Sequence, residues 1–195
     1  MAYGKVRLDE QSLRTACEHI DAFTDSLTRS QILSILWDMV RDGEVGASHY
    51  VDTALQALMV ETHPMVVSVT LRNLDTCIES YLAVENRETV AQNVSSRLRM
   101  LSRLAKADSD TQLQLVRAAA RRAHNPEDIA ASAALLNGSE TLTGLRIDTE
   151  LRWNLLTSLA AVGHVDRATI EAELSNDDTV NGRERVLQAT ASLPD

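Results

Sequence analysis

The stretch NPEDIAASAALLNG, residues 125–138, is the clearest single indication of how this chain folds. Asn125 is a preferred helix-capping residue, and Pro126 suits the first turn, where no intrahelical partner for its missing N–H is needed. The two acids that follow complement the helix dipole. At the other end, Asn137-Gly138 is a good stop, because glycine adopts the left-handed conformation that ends many helices. The stretch therefore predicts one α-helix between these signals.

Similar start signals recur on both sides of this helix. Each precedes an apolar stripe at the 3.6-residue period, and the positions are Asp9, Asp25, Ser48, Pro64, a point near Asn86, Ser109, Asp148, Asp166 and a point near Asp178. Ser109 and Gln112 also have the spacing of a capping box. We therefore predict about ten helices, and an all-α fold.

The spacing of these predicted helices indicates a repeat. Taken in pairs, they begin near residues 9, 48, 86, 126 and 166, about 40 residues apart. Helical pairs of about 40 residues are the unit of HEAT and armadillo solenoids. We predict a HEAT/armadillo-like array of antiparallel helices, an α-α superhelix. An irregular bundle of stacked hairpins is the alternative that the same pattern allows.

The first residues do not fit the helical pattern. In residues 2–8, Tyr3, Val6 and Leu8 alternate with Lys5 and Arg7, which is typical of a strand. An isolated strand leaves its backbone N–H and C=O groups unpaired, and no second strand is predicted elsewhere in the chain. The residues by themselves do not identify the strand with which this segment would pair.

Composition limits the classes of function. The chain has 195 residues, 44% of them hydrophobic but only 3% aromatic, so its core is built mainly from aliphatic side chains. Its net charge of −9 argues against binding to nucleic acid or to an anionic membrane. We find no signal peptide and no apolar run of membrane-spanning length. We expect Cys17 and Cys77 to be two buried free thiols, with a disulfide between them as the alternative. These features favour a cytoplasmic protein.

No catalytic motif is found. The five histidines include no pair one helical turn apart, so a His-Glu-x-x-His zinc site is absent, and there is neither a Cys-x-x-Cys pair nor a P-loop. The acidic residues are scattered over many predicted surfaces. We therefore predict that this chain alone is not a catalyst, and that neither a metal nor another cofactor binds within it.

Arginine pairs are the remaining candidates for a binding site. Arg117 and Arg121 are four residues apart and so share a helix face, and Arg99 and Arg103 repeat the arrangement. Such pairs are usually solvated surface near helix C-termini, but they can also form a basic spot that binds a carboxylate. Arg152, within DTELRWNLL (148–156), either pairs with a nearby acid or faces a ligand.

Several blocks of this sequence resemble the C-terminal part of the aminopeptidase N family of zinc metallopeptidases. They are AYGKVRLDEQSL (2–13), LTRSQILSILWDMVRDGEVGASHYV (27–51), DTELRW (148–153) and NGRERVLQATASLPD (181–195). The second block, with its WDM and RDGE, is especially similar to actinobacterial members. The blocks follow the family's order along the whole chain.

The resemblance implies a division into domains. Residues 1–8 would be a junction strand from a missing upstream β-sandwich domain, residues 9–195 would be a single helical C-terminal domain, and Met1 would be an added or fortuitous start. Zinc would be held by His-Glu-x-x-His in the catalytic domain of the parent enzyme, with the glutamate as general base. The partners implied are those upstream domains of the same polypeptide and peptide substrates.

In the family the helical domain covers the active site and restricts access to peptides. The resemblance therefore makes Arg117, Arg121 and Arg152 candidates for binding the far end of a peptide substrate. The alternative function is a free-standing HEAT-like scaffold that binds another protein in its groove.

Overall fold

The computed structural model describes residues 4–194, and within them every regular element is helical. The ten α-helices of this part of the chain are α1 (Glu10–Glu18), α2 (Ser26–Arg41), α3 (Ala47–Leu58), α4 (Pro64–Thr76), α5 (Val84–Leu104), α6 (Asp110–Arg121), α7 (Pro126–Asn137), α8 (Thr149–Ala161), α9 (Arg167–Ala172) and α10 (Val180–Ala191). Short 3₁₀ turns at Ile20–Ala22 and Glu173–Ser175 and a π-helical turn at Cys77–Tyr81 extend the set. The all-α prediction is confirmed.

Most helices begin where capping chemistry predicts. The side chains of five predicted caps accept a hydrogen bond from the backbone N–H three residues ahead; they are Asp9, Asp25, Asn125, Asp148 and Asp166. Ser109 does the same for Gln112. The Gln112 side chain, however, accepts from the N–H of Asp108 rather than from that of Ser109, so the capping box is incomplete. Gly138 ends α7 in the left-handed conformation, with φ of 77°.

Three predicted starts are displaced by one or two residues. Helix α3 is capped by Gly46 rather than Ser48, α5 begins at Val84, and α10 is capped by Thr179. At α3 the cap is a glycine without a side-chain hydrogen bond, and α5 begins directly after Leu82 and Ala83, so neither helix starts at the polar residue that the sequence indicates.

The predicted strand at the N-terminus falls partly outside the described residues, since positions 1–3 are not among them. Residues 4–9 form no regular secondary structure. A strand is defined by a partner, and the described part of the chain offers none, so pairing with an absent sheet stays a prediction.

The chain divides into two compact units, residues 1–91 and 92–195. In the first unit, α3 packs against α1, α2 and α4, and α2 also contacts α4. Trp37 on α2 packs against Tyr50 at 5.1 Å and against Tyr81 at 5.4 Å between ring centroids. The buried Arg29 and Glu61 join the start of α2 to the loop before α4 through an ion pair of 2.9 Å.

In the second unit, α8 is the central element. One of its sides, with Leu151 and Leu155, packs against α6 and α7. The other, with Trp153, Leu156 and Ala160, packs against α9 and α10. A helix with neighbours on two sides is typical of a helical array, in which each element contacts the ones before and after it. The 40-residue HEAT or armadillo repeat stays a prediction.

The cysteines are both free thiols, as expected. Cys77 is buried, and burial raises the pKa of its thiol to about 11. Cys17 is only partly buried, so the expectation of two buried thiols is wrong for this residue. It lies on the short helix α1, of which only Ala16 is fully covered.

Candidate functional site

The three predicted binding arginines lie in the second unit, on α6 and α8. Arg117 lies in the middle of α6, with about a quarter of its side chain exposed. Its Nη2 lies 3.2 Å from Oε1 of Glu150, a residue whose side chain is 58% exposed. Its Nε is buried and has no hydrogen-bond partner among the described residues. At Nη2, Arg117 is thus paired with an acid that is more than half exposed to solvent.

Arg121 is one turn further along the same helix. It is the last residue of α6 and is exposed, and it takes part in an interaction within the protein. Its position at the helix C-terminus is favourable for a cation, because the last carbonyl groups carry partial negative charge. The structure therefore places Arg117 and Arg121 on one helix face, as their spacing predicts.

Arg152 is held far more firmly. Its Nε and Nη2 donate to the two carboxylate oxygens of Glu173 at 2.6 and 2.8 Å, and its Nη1 donates to the carbonyl of Leu136 at 3.2 Å. The paired guanidinium lowers the pKa of Glu173, and the carboxylate raises that of Arg152. All three guanidinium nitrogens are bonded, so the side chain links α8 to α7 and to the turn after α9.

Arg117 and Arg152 do not meet on one surface. Glu150, the partner of Arg117, and Arg152 are two residues apart on α8. Side chains two positions apart on a helix point in nearly opposite directions. The contacts of Arg117 and those of Arg152 therefore lie on different sides of α8, and the three predicted residues do not form one cluster.

The first unit contains a counterpart of the Arg152 ion pair. Arg29 is the fourth residue of α2, whose N-cap is Asp25, and it pairs with Glu61 beyond the following helix. Arg152 likewise is the fourth residue of α8, after the N-cap Asp148, and pairs with an acid beyond α9. In each unit, therefore, an arginine in the first turn of one helix pairs with an acid that lies just beyond the following helix. This recurrence favours a structural role for Arg152.

Asp128 forms a polar cluster that sequence reasoning missed. It is 2% exposed, and its carboxylate accepts hydrogen bonds from Ser95 Oγ at 2.6 Å, Arg99 Nε at 2.5 Å and Asn125 Nδ2 at 2.6 Å. Burial alone would raise the pKa of Asp128, but these donors outweigh it and hold the pKa below its ordinary value. The cluster fastens α5 to the start of α7.

The cluster also explains the second arginine pair. Arg99 is bound to Asp128, and Arg103 contacts Glu140 at 2.5 Å. These residues are therefore tied to acids of the same unit. In the sequence, the only indication of this cluster was the acid at the third position of α7, which we attributed to the helix dipole. The local pattern could not indicate that it binds Arg99, 29 residues away.

Two further features bear on what the chain can bind. Residues 4–194 contain no group of three or more histidine, cysteine, aspartate or glutamate side chains arranged to hold a metal ion. Over the same range, none of the helices is both long enough and apolar enough to cross a membrane.

Comparison with known proteins covers the whole chain. The model of the ERAP1-like C-terminal domain family matches residues 1–195. Aminopeptidase N of Streptomyces lividans is 38% identical over 194 residues, an alignment that covers 100% of this chain. The chain spans only 23% of the length of that relative, its C-terminal part. Together with the all-helical fold, this end-to-end match shows that the chain belongs to the ERAP1-like C-terminal domain family.

Proposed function

We propose that this chain is the non-catalytic C-terminal domain of a zinc-dependent aminopeptidase that removes N-terminal residues from peptides. The observation that carries the proposal is the end-to-end match to a C-terminal domain family and to 23% of an aminopeptidase N. In this proposal the chain works in the cytoplasm, beside the catalytic and β-sandwich domains of the same polypeptide. HEAT-like packing of its helices would supply a concave surface over the active site.

Zinc belongs to the remainder of the polypeptide in this proposal. The metal ligands and the general base would come from the catalytic domain, and residues 4–194 contain no cluster of three or more potential ligands. Its contribution is to cap the active site, restrict which peptides enter and position the part of a peptide that is remote from the cleaved bond. Such remote contacts act through binding energy and orientation.

Arg117 is the best candidate for a direct contact with substrate. Its Nη2 contacts Glu150, whose side chain is 58% exposed and can be displaced by a second carboxylate. A guanidinium group binds a carboxylate through two parallel N–H donors, which matches the free C-terminus of a peptide. Arg121, one turn away, would add charge, whereas Arg152 is already bonded through all its nitrogens.

Peptide kinetics on the full-length aminopeptidase test this role. We expect Arg117→Gln to raise KM about tenfold for a long peptide with a free C-terminus, equivalent to about 1.4 kcal/mol of lost binding. KM for a single aminoacyl-amide and for the same peptide with an amidated C-terminus should stay at the wild-type value. Arg167→Gln, which removes an exposed arginine paired with Glu171 on α9, is the matched control. An equal effect of Arg117→Gln on all three substrates would contradict a carboxylate contact.

A direct assay of the chain tests where the chemistry lies. The 195-residue chain is incubated with aminoacyl-amide substrates and added zinc, and no turnover is expected because no zinc ligand set is present in residues 4–194. Turnover by the chain alone would overturn the proposal. The alternative, a free-standing scaffold, would instead be supported if the gene had a genuine start codon at residue 1 and no in-frame zinc-motif domain upstream of it.

A further inference from the structure

The segment that leads into α1 is fastened to the far end of α2 by four charged side chains. Lys5 and Arg7 are two residues apart in an irregular segment, so in an extended chain they point to the same side. Val6 between them is 55% exposed. The acceptors are Asp42 and Glu44, in the turn that follows α2. We call these four residues the N-terminal clip.

The contacts of the N-terminal clip are numerous for a surface feature. Lys5 Nζ lies 2.9 and 2.8 Å from the two carboxylate oxygens of Asp42. Arg7 donates through Nη2 to the same carboxylate, and its Nε lies 2.6 Å from Oε2 of Glu44. Asp42 therefore binds two cations at once, and Arg7 binds two acids. A network of this kind is held more firmly than an isolated surface pair.

The two acids of the clip lie at the C-terminal end of α2, where the helix dipole disfavours negative charge. Asp42 is the C-cap of α2, and Glu44 follows it by two residues. The carbonyl end of a helix carries partial negative charge, so acidic residues there are unfavourable unless cations offset them. Lys5 supplies the hydrogen bond that contributes most to lowering the pKa of Asp42, which keeps this carboxyl ionised. The unfavourable placement is thus compensated by the cations of the segment.

The receiving turn is itself well ordered by backbone bonds. The N–H of Asp42 donates to the carbonyl of Asp38, Gly43 turns the chain with φ of 74°, and the N–H of Glu44 donates to the carbonyl of Met39 at 2.9 Å. The two carboxylates are consequently presented in fixed positions. By contrast, residues 4–9 have no secondary structure that would fix their path.

We propose that the N-terminal clip fixes the path of residues 4–8 against the end of α2, and thereby the direction in which preceding polypeptide enters this unit. The second half of the statement rests on the proposed function, in which catalytic and β-sandwich domains precede the chain. The clip thereby holds those domains in a fixed orientation to the helical unit. Its ion pairs weaken at high salt, because their charges are exposed and therefore screened.

Limited proteolysis of the 195-residue chain tests the clip itself. Trypsin cleaves after Lys5 and after Arg7 only when the segment leaves its bound path. We expect the double variant Asp42→Asn, Glu44→Gln to be cleaved there about tenfold faster than the wild type at low salt. Wild-type cleavage should approach the variant's rate in 1 M salt, where screening is effective within about 3 Å.

Matched variants separate the clip from a general loss of structure. Asp38→Asn removes an acid of the same helix end, one that pairs with Arg41 at 3.6 Å, and should be cleaved at the wild-type rate. Helical circular dichroism should be the same for all variants. Equal cleavage of the double variant and the wild type would overturn the clip.

Distances in the longer polypeptide test the coupling to preceding domains. Spin labels on α3 and on the preceding domain should give a narrow distance distribution in the wild type and a broader one in the double variant. An unchanged distribution, with faster cleavage, would overturn the directing role while leaving the ion pairs in place. If no domain precedes the chain, the proposed function fails, but the proteolysis result still decides whether the clip exists.

Discussion

The buried ion pair between Arg29 and Glu61 allows a quantitative prediction. The Glu61 carboxylate accepts four hydrogen bonds, from Ser26 Oγ, from the N–H groups of Thr62 and His63, and from Arg29 Nε. Arg29 Nη2 also lies 2.9 Å from Oε2 of the same carboxylate. The Arg29 side chain is 5% exposed and that of Glu61 1%. The perturbation is Glu61→Gln, which keeps the shape and one acceptor oxygen but replaces the other with an N–H₂ group.

The expected cost follows from the contacts. If the amide oxygen keeps the bonds to Ser26 and to the backbone, its N–H₂ group faces the N–H donors of Arg29, and the buried guanidinium loses its counter-ion. Removing one partner of a buried ion pair costs about 3–5 kcal/mol, because an uncompensated charge remains away from water. Domains of this size unfold with about 5–15 kcal/mol. The variant should therefore lose a large part of the stability of the first unit.

The assay uses the distribution of tryptophan in this chain. Trp37 lies in the first unit and Trp153 in the second. In a Trp153→Phe background, fluorescence during urea unfolding reports on the unit that contains Glu61. The measured quantity is the free energy of unfolding in water, extrapolated linearly from the transition. The matched control is Glu10→Gln, which breaks the exposed pair of Glu10 with Arg14 and should leave the midpoint unchanged.

A double-mutant cycle tests the reasoning. The pair replacement Arg29→Met, Glu61→Leu removes both charges together and should cost much less than the sum of the two single changes, because no isolated charge remains. The claim that each charge depends on the other would be refuted if the double variant lost as much free energy of unfolding as the two single variants together. A Glu61→Gln variant that lost less than about 1 kcal/mol would refute it as well.

Three further predictions concern pH, backbone conformation and thiol reactivity. Burial would raise the pKa of Glu61, but the bonds from Arg29 and Ser26 outweigh it and hold the pKa below the ordinary 4.5. Its contribution is therefore present above that value and lost as pH falls through the lower folded pKa, so wild-type stability measured between about pH 5 and pH 3 should fall more steeply than that of Glu61→Gln. Gly138→Ala should lower the free energy of unfolding by about 1 kcal/mol through its φ of 77° alone. Gly144→Ala should lower it by about 1–3 kcal/mol more, because its Cβ would lie 2.4 Å from a backbone nitrogen; equal losses would contradict that close approach. At pH 8 a thiol reagent should label Cys77 no faster than the unit unfolds, because its pKa is about 11 and it is buried, whereas prompt labelling would show that the site opens.

The starts and ends of helices were largely predictable from the sequence. The caps Asp9, Asp25 and Asn125 act on N–H groups only three residues away, and they form as expected. The starts of α3, α5 and α10 were displaced by one or two residues, and at α3 and α5 the observed start does not follow a polar capping residue. Local chemistry thus sets the existence of each helix more reliably than its first residue.

The candidate site was predictable in part. The spacing of Arg117 and Arg121 correctly placed both on one face of α6. It did not reveal that Arg152 bonds to Glu173, 21 residues away, or that Arg99 bonds to Asp128. Helical periodicity indicates which residues share a face but not which helix packs against that face, so partners on other elements stay undetermined.

The sequence by itself determined an array of helices, because caps, glycine stops and the 3.6-residue apolar period depend on contacts within a few residues. Only the tertiary structure decided which charged side chains are bonded to other groups of the protein. Arg152 is bonded through every guanidinium nitrogen, Arg117 retains an unpartnered Nε, and Lys5 and Arg7 bind the end of α2. The physical reason is that an ion pair forms only where packing brings two distant side chains within about 4 Å.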